Sequence, residues 1–180
     1  MSGTMVSAEF MEDWRFCPRC GAGLAFVGEG PERHASCGDC GFLKYDNPLP
    51  TTIGLIRRGR SLLLLRRAHA PAVGTWDTVG GFLAGGETAE ENLVREAWEE
   101  IGCEVVDLCP TGTYSSVYGD TGLTTIGIAF TCRIADDAVI TLSEENSEHG
   151  WFGPDEIPDL AFSDVTAAVR DLVDGEDALP

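Results

Sequence analysis

The chain has 180 residues, 43% of them apolar, enough for one ordinary domain with a core, or one domain and a small module. Thirty acidic residues against twelve basic ones give a formal charge of −18. Such a surface repels phosphate backbones and anionic lipids, which excludes a general nucleic-acid binder and a membrane-surface protein but not a basic pocket for one small phosphorylated ligand.

Residues 1–12 read as a flexible tail with acids and no apolar run of signal-peptide length. The longest apolar stretch, Ser61–Leu65, is too short to cross a bilayer. The expectation is a cytoplasmic protein. Residues 13–46 are rich in Cys and Gly and poor in periodic apolar residues, so they cannot build a core of their own. Asp46–Pro50 reads as a linker, because each Pro biases its predecessor away from helix. A larger domain over residues 50–174 follows, and residues 175–180 read as a second tail.

Within that domain, Thr51–Arg57 and Ser61–Arg66 are strand-like runs joined by a hairpin signal, Arg58-Gly59-Arg60. Trp76–Phe82 reads as a strand running into a Gly-rich loop. Thr88–Ile101 is a helix: Thr88 and Glu91 fit a capping box, and Leu93, Ala97 and Ile101 recur every four residues. Gly102 stops it. Cys103–Leu108, Thr111–Val117, Leu123–Ile134 and Trp151-Phe152 are strand candidates, and Ser163–Val173 a closing helix. The fold class is mixed α/β.

Two Cys-x-x-Cys-Gly turns, Cys17/Cys20 and Cys37/Cys40, stand sixteen residues apart. Each offers two thiolates from one tight loop, and the spacing matches a four-cysteine zinc ribbon. A structural staple is the first reading. A redox pair, or a ribbon that reads nucleic acid, is the alternative. Cys103, Cys109 and Cys132 read as small core hydrophobes.

Glu96, Glu99 and Glu100 occupy i, i+3 and i+4 of the helix, which places three carboxylates on one face. Like charges at that spacing repel, by about 0.2–0.5 kcal/mol per pair, unless a cation sits among them. All-oxygen ligands suit Mg²⁺ or Mn²⁺. A solvated acidic face is the plain alternative. The wider pattern runs Gly81, five residues, Glu87, seven residues, Arg95-Glu96, Ala97, Trp98, Glu99-Glu100, Ile101, Gly102, Cys103. It resembles the Nudix signature in every fixed position, a match whose chance expectation is on the order of 10⁻⁶. Ala97 and Cys103 are smaller than the more usual aliphatic residues.

The resemblance spans about Thr51 to Val173. It implies the Nudix fold, a mixed sheet in an α/β/α sandwich, here preceded by the small zinc ribbon. It implies Mg²⁺-dependent hydrolysis of a nucleoside diphosphate linked to another moiety, such as ADP-ribose or a dinucleotide, releasing a nucleoside monophosphate and a phosphorylated product. By position, Glu96, Glu99 and Glu100 are the implied metal ligands, with the Gly80 and Gly81 backbone beside them, and Arg95 with Glu87 the orienting ion pair. The general base is implied at Glu96 or on a later loop, where Glu144, Glu145 and Glu148 are candidates and Glu148 is the best placed. Homodimers are common in the family.

A ribbon ahead of such a domain resembles the NADH pyrophosphatases, but their Ser-Gln-Pro-Trp-Pro-Phe-Pro-x-Ser array is absent. For substrate contacts, Arg66 and Arg67, with His69, lead toward the pocket side in this fold, and Tyr118 is the aromatic chosen to stack a base over Tyr114 and Phe152. The expected partner is a small nucleotide, with no nucleic acid and no membrane. The competing function is a non-catalytic nucleotide sensor whose ribbon binds a partner.

Overall fold

The computed structural model describes residues 14–177, with side chains through residue 175. The expected tail at 1–12, and residues 178–180 of the second tail, lie outside the described residues. The ribbon is a three-stranded antiparallel sheet of β1 (Ala25–Val27), β2 (His34–Ser36) and β3 (Leu43–Tyr45). Its buried apolar side chains are Cys17, Ala35 and Cys37, so the cysteines are themselves most of its core.

The second sheet holds β4 (Leu49–Arg58), β5 (Ser61–Arg67), β6 (Trp76–Asp77), β7 (Val106–Val117), β8 (Thr124–Arg133) and β9 (Asn146–Phe152). Its order is β6-β5-β4-β8-β7, with β9 on β5. Among the named strands of this sheet β4 and β8 pair in parallel and the other strand pairs are antiparallel, so the sheet is mixed. Helix α1 (Ala89–Ile101) covers one face and α2 (Ser163–Asp177) the other. Alternation along the strands divides the core accordingly. Leu63, Leu65, Ile56 and Val79 pack with Leu93, Ala97 and Ile101 of α1. Leu62, Leu64, Ile53 and Leu55 pack with Val165, Ala168 and Val169 of α2.

Several expected boundaries move. The linker is shorter, because Leu49 and Pro50 are already in register with Thr125 and Ile126 of β8. Cys103–Leu108 and Thr111–Val117 are not two strands. They form one strand, β7, whose pairing slips twice, at Val106/Cys109 and Pro110/Gly112, so Pro110 is absorbed at an irregularity. The closing helix passes Val173 to Asp177, since Gly175 does not take the left-handed φ that would stop it. Residues 175–177 are therefore helical rather than tail. No helix among the described residues is long and apolar enough to cross a membrane.

Candidate active site at the α1 helix

The site begins where β4 and β5 part. Their direct pairing is confined to the hairpin end, at Arg57/Leu62 and Arg58/Ser61. Trp76–Phe82 fills the gap between them. Asp77 pairs with Leu65 of β5, after which Val79 and Phe82 bridge to Gly54 and Thr51 of β4. The segment is therefore a strand of two residues and then an irregular crossing. Gly80 sits in that crossing at φ 151°, where a Cβ would collide with the Thr52 carbonyl. A Cβ on Gly81 would stand 2.5 Å from Glu96 Oε1, so only glycine lets backbone and carboxylate approach this closely.

Helix α1 starts as expected, with Thr88 and Glu91 forming a reciprocal capping box, and ends at Gly102 in the left-handed conformation. Asn92, one turn ahead of Glu96, is fully buried and ties loop to helix. Its Nδ2 donates to the Phe82 carbonyl at 2.9 Å and to Glu87 Oε2 at 3.0 Å, and its Oδ1 accepts from Thr52 Oγ1 at 2.6 Å. Sequence reasoning passed over Asn92. Its signal was a polar residue on the buried stripe of an amphipathic helix.

Arg95 is the hub. Its Nε donates to Glu87 Oε1 at 2.8 Å, and its Nη1 lies 2.9 Å from Glu96 Oε1 and 2.8 Å from Glu99 Oε2. Hydrogen bonds from Arg95, from the Ala84 amide and from Asn92 hold the Glu87 carboxyl down at about 2. Glu100 is the opposite case. It is 9% exposed, and the Gly80 amide donates to its Oε2 at 3.3 Å. Burial pushes its pKa well above the usual range despite that bond, and the charges of Glu96 and Asp77 push the same way. Glu96 is raised too, chiefly by burial and against the pull of Arg95.

These groups line a cavity of about 380 Å³. Arg67 also faces it, held by an ion pair to buried Asp77 at 3.0 Å and lying 5.1 Å from the centroid of Phe162. Burial raises Asp77 to about 6 even with Arg67 and the Thr78 amide working against it. Tyr118 lines the cavity between Phe82 and Phe162, at ring separations of 5.1 and 5.3 Å. Tyr114 and Phe152 do not line it. Asp164, buried at the start of α2, and Glu145 complete an acidic wall.

Two expected site residues fall elsewhere. Glu148 pairs with Arg66 at 3.3 Å, both of them exposed, and neither lines the cavity. Strand β9 explains this: it extends back to Asn146, so Glu148 is fixed opposite Arg66 in the ladder instead of lying on a free loop. The best placed of the three acids is therefore Glu145, just before the strand. Arg66 and Arg67, successive on β5, take different directions: Arg66 is exposed against Glu148 and Arg67 lines the cavity.

In the ribbon, the two cysteine turns match. Gly21 and Gly41 are left-handed at φ 78° and 69°, and their amides donate to the Cys17 and Cys37 carbonyls at 2.9 and 3.0 Å. All four Sγ atoms lie within 4.8 Å of one another, with Cys17–Cys40 and Cys20–Cys37 at 3.5 Å. A tetrahedron with Zn–S bonds of about 2.3 Å needs sulfurs roughly 3.8 Å apart, so the cluster fits that ion. Among the described residues no carboxylate group converges so tightly.

Residues 48–172 match the NUDIX domain model, and the chain belongs to that family. Its curated relatives include proteins named NAD-capped RNA hydrolase NudC. That of Chromobacterium violaceum is 34% identical over 152 residues, covering 84% of this chain and 55% of the relative. That of Pseudomonas aeruginosa is 30% identical over 160 residues, covering 89% and 54%. The chain thus spans about half the length of the curated relatives it matches. A NUDIX hydrolase structure from Nitrosomonas europaea superposes with a TM-score of 0.72 at 24% identity, over 92% of this chain and 94% of that one. A MutT NUDIX hydrolase from Burkholderia pseudomallei gives 0.63 at 21% identity, over 69% and 97%. These likenesses establish the fold, an α/β/α sandwich on a mixed sheet.

Proposed function

We propose that the chain is a divalent-metal-dependent pyrophosphatase that cleaves a nucleoside diphosphate linked to another moiety, of the dinucleotide or ADP-ribose type. The observation that carries this reading is the buried Glu100 beside Glu96 at a cavity edge: among the described residues Glu100 has only the Gly80 amide as a partner, and the one cation beside Glu96, Arg95, is shared with Glu87 and Glu99. An all-oxygen donor set of Glu96, Glu99, Glu100 and the Gly80 backbone fits Mg²⁺ or Mn²⁺. Such an ion supplies charge neutralisation on the pyrophosphate oxygens and a more acidic water. The chain's own part is to hold the wall in place. Glu87 anchors Arg95, Arg95 gathers Glu96 and Glu99, and Asn92 clamps the loop that carries Gly80 and Gly81. Glu96 or Glu145 takes the water's proton, since both carboxylates face the cavity. Arg67 meets phosphate, and Tyr118 offers a ring to a base.

The division of the chain follows the same reading: a structural zinc ribbon over 13–46, with Zn²⁺ on Cys17, Cys20, Cys37 and Cys40, and the hydrolase domain over 50–174. Cytoplasmic location and a homodimer belong to it as well. The relatives' name supports an NAD-type dinucleotide as the first substrate to try. The test is purified protein with Mg²⁺ and NADH, ADP-ribose, FAD, diadenosine polyphosphates and nucleoside triphosphates. A nucleoside monophosphate released from a dinucleotide or ADP-ribose is the expected product. No turnover on any of them across metal concentrations overturns the reading.

A further inference from the structure

One arginine of the cavity wall has unfinished hydrogen bonding. Arg67 ends β5, and its side chain is 21% exposed. Its Nε donates to the Pro71 carbonyl at 2.8 Å and its Nη1 to Asp77 Oδ2 at 3.0 Å. The guanidinium lies over the Phe162 ring. Three separate parts of the fold therefore fix it: the loop after β5, strand β6 and the residue just ahead of α2. Its Nη2 makes no hydrogen bond among the described residues. A guanidinium carries five N–H donors, and one that is mostly buried needs acceptors for them. The unmet donors belong to a side chain that lines the cavity.

Asp77 is held as firmly as the arginine it holds. It is buried, and its Oδ1 accepts from the Thr78 amide at 2.9 Å while Oδ2 takes Arg67. The two residues of β6 pair with the end of β5, Asp77 with Leu65 and Trp76 with Arg66, which sets the carboxylate beside Arg67. The backbone of Arg67 is tied as well: its amide donates to the Thr75 carbonyl at 3.0 Å, and its carbonyl accepts from the Gly74 amide at 2.8 Å.

Charge alone does not account for this pair. Asp77 cancels the charge of Arg67, and Asp164 acts on Asp77 from the same cavity wall. Simple attraction of an anionic substrate would favour an arginine without a partner. The pair supplies direction instead. In a cavity that also holds Glu96, Glu145 and Asp164, an unheld arginine would turn to the nearest carboxylate. Held by Asp77, it keeps a planar edge aimed at one place, and a planar fork is the geometry that suits phosphate oxygens.

We infer that Asp77 is a positioning residue, which together with the Phe162 ring holds Arg67 so that Nη2 donates to a non-bridging oxygen of the bound pyrophosphate. The inference rests on the pyrophosphatase reading, in which Arg67 meets phosphate. The pair reads phosphate by geometry and not by net charge.

Positioning and attraction predict opposite signs for one substitution. Asp77→Asn removes a negative charge from a wall that faces an anion, so attraction predicts tighter binding and positioning predicts weaker. The zinc-loaded full chain is titrated calorimetrically with methylenediphosphonate, a pyrophosphate mimic with no base and no hydrolysable link, at saturating Mg²⁺ and pH 8. Affinity is expected to fall about tenfold or more in Arg67→Ala, the usual worth of a hydrogen bond to a charged group. Arg67→Lys should lose nearly as much, because it keeps the charge without the fork. Asp77→Asn should lose severalfold, and Arg67→Ala/Asp77→Asn should bind no more weakly than Arg67→Ala alone, since Asp77 acts through Arg67. If melting shows that Asp77→Asn does not fold, Phe162→Leu takes its place in the same cycle, and its loss should vanish in the Arg67→Ala background. In turnover, the single variants should raise KM with kcat within about threefold of the wild type. Equal or tighter binding by Asp77→Asn, losses that add in the double variant, or no binding by the wild type overturns the inference. The expected binding pattern with no turnover of any dinucleotide or ADP-ribose overturns the pyrophosphatase reading and leaves the positioning of Arg67 standing.

Discussion

Two clusters of anionic side chains invite comparison, the four cysteines of the ribbon and the three glutamates of α1. The cysteines converge without help from the rest of the molecule. Each pair sits on a tight turn closed by its own backbone bonds, and a short sheet brings the turns together. The glutamates are gathered only by tertiary partners. Arg95 bridges Glu96 and Glu99, and Glu100 accepts from the Gly80 amide next to Glu96. Soft-ligand sites of this kind are set by local turn geometry. The glutamate cluster is set by tertiary parts: a helix face, a loop wedged between two strands, and an arginine shared by two carboxylates.

The largest effect expected from that difference is in the ribbon. Cys37→Ser should remove zinc and unfold residues 14–46 outright, because structural zinc is worth about 10–16 kcal/mol in small modules and the ribbon has almost no other core. Limited proteolysis should cut within the ribbon while the second sheet stays resistant. Cleavage at the same rate in wild type and variant would break the comparison.

At the glutamates the expected signature is reversed: function falls while stability holds or rises. Glu100→Gln should lower kcat/KM by about a hundredfold or more, as loss of a metal ligand. It should also raise the melting temperature of the zinc-loaded protein in the absence of Mg²⁺ and Mn²⁺. The raised pKa means that folding buries a charge at a cost, and that cost grows as pH climbs above the unfolded value of about 4.3. Calorimetry of the zinc-loaded protein at neutral pH, without added Mg²⁺ or Mn²⁺, checks the sign.

Glu87→Gln sharpens the role of Arg95, with a smaller loss of about ten- to a hundredfold in activity. Here the folded pKa is depressed to about 2, so the stabilisation is complete above the unfolded value and is lost as pH falls from about 4.3 toward 2. Acid titration of the wild type should show that loss, and the variant should be flatter over the same window. Smaller again is the contrast between two acids. Glu145→Gln should lower kcat severalfold and shift its pH profile, whereas Glu148→Gln, an exposed partner of Arg66, should change activity less than twofold.

What the sequence made legible follows the same division. The cysteine turns, the capped helix and the spacing of Glu87, Arg95, Glu96, Glu99 and Glu100 are local patterns, and the structure contains each feature where it was expected. The crossing of Trp76–Phe82 between β4 and β5 was not legible, because its few apolar residues read equally well as a continuous strand. Nor was the long β9, in which Ser147, Glu148 and His149 carry no strand propensity and are held by pairing with β5. That misreading moved Glu148 into the candidate site, whereas Asn92, Asp77 and Asp164 were missed for another reason: each is a single buried polar residue whose place at the site is set by tertiary packing.

The most direct test of the glutamate site is a Mn²⁺ titration of the zinc-loaded protein, followed by the EPR signal of free ion, in wild type, Glu99→Gln and Glu100→Gln. Tight Mn²⁺ binding in the wild type, at least tenfold weaker in both variants with dinucleotide hydrolysis falling in parallel, is the predicted result. Equal Mn²⁺ affinity in all three proteins would contradict a metal site on α1.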